Sequence, residues 1–65
     1  MYYLLIDSHG SALDTFAERG EAVHAWEELV RSDPAAEEDV AVLRCDDDGT
    51  PRERIDAAAA LAAGA

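Results

Sequence analysis

Apolar side chains along this chain come in two rhythms. Residues 2–7 (Tyr-Tyr-Leu-Leu-Ile-Asp) open with five consecutive aromatic or aliphatic positions, the pattern of a strand that is apolar on both faces. A turn cluster follows, Ser8-His9-Gly10-Ser11, in which Gly10 is free to take positive φ. Residues 12–17 mix apolar with polar side chains and suit the second arm of a hairpin. The rhythm then changes. Between Glu18 and Ser32, the residues Ala22, Val23, Trp26, Leu29 and Val30 recur at spacings of three and four, which draws one apolar stripe along a helix. Glu21, His24, Glu28 and Arg31 fall on the opposite side. Glu18 and Gly20 are imperfect caps, although acids at 18 and 21 suit the positive end of the helix dipole. Asp33-Pro34 is a firm stop, because the residue before proline is pushed out of the α region. Pro34 then opens one further turn through Glu38, with Asp33 as its cap.

Residues 39–45 (Asp-Val-Ala-Val-Leu-Arg-Cys) predict a third strand. Asp46-Asp47-Asp48-Gly49 has strong hairpin-turn chemistry, and Thr50 to Ile55 suits a short fourth strand that Pro51 confines to an edge. The alanine-rich residues from Asp56 on have little apolar bulk beyond Leu61, so this tail either docks as a helix or frays. The predicted fold is α+β, a hairpin–helix–strand unit (ββαβ, or ββαββ if the last hairpin forms). Residues 1–56 make one domain and 57–65 a C-terminal tail. A hairpin followed by one crossing helix leaves the third strand antiparallel to the first, which gives the sheet order 2-1-3 or 2-1-3-4.

That topology sets a problem. Strand 1 is central and apolar on both sides, yet one helix covers only one face of the sheet. The other face carries Tyr3 and Leu5, or Tyr2, Leu4 and Ile6, depending on register. Its cover is a second copy of the chain, the tail with Leu61, or another protein, so Tyr2, Tyr3, Leu4, Leu5, Ile6 and Leu61 are the candidate interface residues.

Size sharpens the problem. A chain of 65 residues buries only about 60% of its unfolded surface and commonly needs disulfides, a metal or oligomerisation. Cys45 is the only cysteine, which excludes an internal disulfide. One Cys with His9 and His24 lacks the paired spacing of a structural zinc site. Self-association is the remaining remedy.

Charge narrows the partners. Fifteen Asp and Glu stand against five Arg and no Lys, for a formal net charge of −10. Such a field repels phosphate backbones and anionic membrane surfaces and favours a basic protein partner. The acids Glu27, Glu28, Glu37, Glu38, Asp39 and Asp46 to Asp48 cluster near the helix end and the last turn, a solvated surface or a mimic of a phosphate ladder. The opening apolar run has no basic flank and is far shorter than the ~20 residues of a membrane span. With the unpaired cysteine, this predicts a reducing, cytoplasmic setting.

Chemical motifs are sparse. Asp7, Ser8, His9 and Ser11 are the residue types of a hydrolytic triad, but they share one turn, whereas triads converge from separate elements. The acidic run before Gly49 fails as a calcium loop: with Gly49 as sixth residue, Arg44 falls at the first ligand position and Ile55 at the twelfth. Cys45 has Arg44 directed to the opposite face and three acids after it, which disfavours a reactive thiolate. No catalytic, cofactor-binding or metal-binding residue is assigned, and enzymatic activity is not expected.

The run Thr15-Phe16-Ala17-Glu18-Arg19-Gly20-Glu21-Ala22, with Leu29-Val30 and Asp33-Pro34 after it, resembles small uncharacterised acidic proteins of high-GC bacteria. In that pattern a strand ending in Thr-Phe leads into a helix beginning Arg-x-Glu-Ala, followed by Asp-Pro and another strand. The resemblance spans about residues 3–49 and implies no activity. Glu18 stands here where a Thr or Ser cap is usual. The function expected from the residues is a self-associating interaction or structural module, with a homodimer as its simplest form; the alternative is an acidic regulator that binds a basic partner, as a nucleic-acid mimic.

Overall fold

A computed structural model describes residues 1–64; Ala65, the end of the expected tail, lies outside them. The elements run β1 (Tyr2–Asp7), β2 (Ala12–Phe16), α1 (Arg19–Ser32), α2 (Ala36–Asp39), β3 (Val40–Cys45), β4 (Pro51–Ile55) and α3 (Ala57–Gly64). The strands form one antiparallel sheet in the order β2-β1-β3-β4. This is the longer of the two orders expected from connectivity.

Two aspartate-led turns fix the hairpins. The Asp7 carboxylate accepts the backbone N–H groups of His9 and Ser11, each at 2.9 Å, and Gly10 takes φ +83°. This occupies the only carboxylate of the triad-like set in turn geometry. In the second turn Gly49 takes φ +91° and donates its N–H to the Asp46 carbonyl at 2.9 Å. The Thr50 N–H reaches the Asp48 carboxylate at 2.9 Å.

Hydrogen bonding from the Thr50 side chain, and then from its backbone, holds the Asp48 carboxyl below its ordinary 3.8. A carboxyl whose folded pKa is depressed stabilises the fold above its unfolded pKa, and that contribution fades as pH falls through the folded value. Carbon-detected NMR titration of Thr50→Val will therefore show Asp48 titrating at higher pH than in the parent, with the surviving backbone N–H bond still holding it below the ordinary aspartate range. An unchanged Asp48 titration in that variant would refute the assignment.

Helix α1 begins without a side-chain cap, since Glu18 sits in extended backbone and makes no capping hydrogen bond. It ends firmly. Asp33, extended before Pro34, donates its N–H to the Leu29 carbonyl at 2.8 Å. The next turn starts two residues later than Pro34, at Ala36. Asp33 uses its carbonyl for Ala36 N–H (2.9 Å) and its carboxylate for Ala35 N–H (3.2 Å), so Pro34 and Ala35 form a turn rather than the first helical residues.

The core lies between the helices and one face of the sheet. Leu5, Val40, Val42 and Ile55 meet Ala22, Val23, Trp26, Ala36 and Ala57. Trp26 is its largest member at 7% exposure, and its indole Nε1 donates to the Val40 carbonyl at 3.0 Å. That bond ties α1 to the start of β3 and satisfies the one polar atom the ring would otherwise bury bare.

The alanine-rich tail is helical through Gly64, started by the Asp56 carboxylate accepting from Ala59 N–H at 3.0 Å. It docks beside α1, with Ala60 and Leu61 against the core. All three helices thus lie on the same side of the sheet. The molecule is correspondingly thin, 31 × 27 × 15 Å, the depth of one helix layer on one sheet.

Candidate functional site: the open face of the sheet

Register decides which residues face away from the helices. Directly paired residues of antiparallel strands share a face, and successive residues alternate. Leu5 pairs with Val42 and Asp14, and Val42 with Ile55; because Leu5, Val42 and Ile55 are in the core, this row faces the helices. The neighbouring row, Thr15-Leu4-Leu43-Arg54, faces outward. So do Ile6 with its partners Ala12 and Ala41, and Tyr2 with Cys45. None of Tyr2, Leu4, Ile6, Ala41 or Leu43 packs against the helix-side core, and each is half-buried by its strand neighbours alone.

The bulge between Leu5 and Ile6 adds one more residue to this face. It leaves Leu13 as the extra residue of β2, beside Ala12, with 49% of its surface exposed. At the opposite end Tyr2 leans over the β3–β4 turn: a Cβ added at Gly49 would lie 3.7 Å from its hydroxyl. Cys45, the strand partner of Tyr2, is 0% exposed. What is left open is a patch of Leu4, Ile6, Leu13, Ala41 and Leu43.

The distribution of charge across the sheet is uneven. The strands contain three carboxylates, Asp7, Asp14 and Glu53. Their partners are Val40, Leu5 and Arg44 respectively, so all three belong to the helix-side rows. In a chain of 15 acids, the outward rows of the sheet hold none. Arg54 stands opposite Leu43 on the edge strand, at a margin where it also borders the helix side of the sheet.

Of the six residues expected at an interface, Tyr2, Leu4 and Ile6 lie on the open face. Leu5 is in the core at 4% exposure, while Tyr3 and Leu61 pack against that core from its margin. The tail therefore turns toward α1 and leaves the open face uncovered by any described residue. Leu13, Ala41 and Leu43 belong to the patch and were not foreseen. Leu43 was within reach, because the order 2-1-3 already sets it opposite β1. Leu13 was not, because it depends on a bulge that strand alternation does not announce.

The remaining groups do not assemble. Among the described residues no three of His, Cys, Asp and Glu gather as metal ligands, and no helix is long and apolar enough to cross a membrane. His24 lies 3.7 Å from Glu28 on the exposed side of α1. Arg31 joins Glu27 and Glu28 at 3.1 and 3.5 Å in the same row. A recess of about 410 Å³ between α2 and the β4–α3 junction is lined by Trp26, Glu37, Val40 and Arg54, among others, and the Trp26 indole N–H is already used by the Val40 carbonyl. No family model matches this chain, and no curated protein and no solved structure matches it either.

Proposed function

We propose that this protein is an interaction module that pairs with a second copy of itself through the open sheet face. The observation that carries the reading is an apolar patch, free of carboxylates, on an otherwise strongly acidic chain. Acid spread evenly would have served solubility better. Its exclusion from one face is what an interface core requires, because an unpaired charge buried there is costly.

Magnitudes bound the strength of the pair. Four strands spaced about 4.8 Å apart and about five residues long present a face of roughly 19 × 17 Å. That is small beside the ~800 Å² a standard interface buries on each partner. Each half-buried aliphatic side chain gains about 1 kcal/mol on closure, half the value for full burial. Eight of them across two copies give about 8 kcal/mol, against an association cost of at least ~4 kcal/mol. The net is at most about 4 kcal/mol, so the pair is weak, with a dissociation constant near 1 mM or above.

Sedimentation velocity from about 100 μM to about 5 mM, the range that brackets such an affinity, will show the mass rising from one chain toward two. Raising salt will leave the association intact or strengthen it, since burial of apolar surface is not screened. A single-chain mass over the whole range sinks the proposal. The alternative reading, an acidic regulator on a basic partner, predicts the reverse salt response, with binding that weakens steeply as ionic strength rises.

A further inference from the structure

The two longer helices are anchored very unequally to the sheet they share. We infer that α3 is a lid, a helix that lifts away and melts by itself while the sheet and α1 stay folded.

Helix α1 is held by three buried side chains, Ala22, Val23 and Trp26, and by the indole bond to the Val40 carbonyl. Helix α3 has no such tie. Between Ala57 and Gly64 the only side chain longer than a methyl group is that of Leu61. Ala57 is buried at 5% exposure, Ala60 and Leu61 are half-buried, and Ala58, Ala59, Ala62 and Ala63 face solvent. Among the described residues no ion pair joins α3 to the body of the protein. Its one side-chain hydrogen bond is the local Asp56 cap on Ala59 N–H.

Those contacts bound the strength of docking. Burying one alanine methyl fully, and a second alanine and a leucine by half, multiplies the docked population roughly thirtyfold. Helix propensity adds little, because an isolated helix shorter than ~12 residues is marginal in water even when rich in alanine. The whole fold, by contrast, is preferred over the unfolded chain by a factor on the order of hundreds to thousands. Helix α3 therefore opens well before the molecule unfolds, as a local unit of low stability. The indole bond and the packing of α1 on β1 and β3 use no residue of α3, so both survive its departure.

Opening changes one side of the molecule. Ala57 and Ala58 line the recess together with Trp26, Val40 and Ile55. When α3 leaves, the recess becomes a wider cleft along Trp26, Val40 and Ile55. This cleft lies on the helix side of the sheet, so the lid works independently of the proposed pairing.

Native-state hydrogen exchange of the full chain, followed by NMR in urea from zero to about 1 M, tests the lid. The amides of Ala60 to Ala63 will be protected no more than about thirtyfold. Those of β1, at the centre of the sheet, will be protected at least about fivefold more. Urea at about 1 M will speed β1 exchange about fivefold and α3 exchange less than about twofold, because lifting one short helix exposes little surface. Equal protection in both elements, with the same response to urea, would overturn the lid. Leu61→Ala will lower α3 protection by about fivefold in a chain that stays folded. Unaltered α3 protection in that variant, or its complete unfolding, would overturn the anchoring assigned to Leu61 and the lid with it.

Discussion

Replacing Trp26 with alanine will leave the chain unfolded at 25 °C, read as loss of far-UV circular dichroism and collapse of amide NMR dispersion. A buried tryptophan cut to alanine costs about 3–5 kcal/mol. The Val40 carbonyl would then lose its indole partner, at a further ~1–3 kcal/mol if no water replaces it. A core of this size supplies at most about 3–5 kcal/mol in total, so the loss exceeds what is available. Trp26→Phe separates the two contributions. It keeps most of the apolar volume and removes only the N–H donor, and it will remain folded with a lower thermal midpoint. Trp26→Ala retaining a cooperative transition within a few degrees of the parent would refute the central place given to this side chain.

The second large effect falls on association and not on folding. Leu4→Asp sets a carboxylate in the middle of the outward row, between Thr15 and Leu43. On a free monomer the new side chain stays largely wet, and losing a half-buried leucine and its strand preference costs about 2 kcal/mol. In a face-to-face pair two such charges would be desolvated a few ångströms apart, which costs several kcal/mol. Each 1.4 kcal/mol is a factor of ten in affinity. Self-association will therefore weaken by at least about a hundredfold while the circular dichroism spectrum is kept. Leu13→Asp, at the margin of the patch, will weaken it less. A Leu4→Asp protein that pairs like the parent would show that association, where it occurs, uses another surface.

How far the sequence announced this structure varies with the kind of signal. The α1 stripe was legible because Ala22, Val23, Trp26, Leu29 and Val30 repeat at helical spacing, and its end because proline forbids the α region at Asp33. The sheet order followed from connection rules and a doubly apolar β1. What remained hidden were choices that depend on partners distant in sequence. Whether Leu4 or Leu5 faces the helices is a one-residue matter of register, settled only when Val42 and Ile55 complete the row around Leu5. The docking of the tail was equally unreadable, since a run of alanines is compatible with either a packed or a frayed helix. Its burial rests on Ala57, Ala60 and Leu61 finding space beside α1. The open face could be foreseen as a surplus of apolar surface, but the exclusion of carboxylates from it could not, because it belongs to four strands at once.

The margins of the sheet settle how far assembly can run. On β2, Asp14 turns its carboxylate back to accept the N–H of Thr15 at 2.8 Å, and the bulge at Leu13 breaks the even spacing a neighbouring strand would need. On β4, Pro51 withholds a donor and Arg52, Glu53 and Arg54 place charge along the rim. Two chains that bury their broad surfaces against each other would thus offer a third no strand to zip onto, and growth would halt at the pair instead of running on into a fibre.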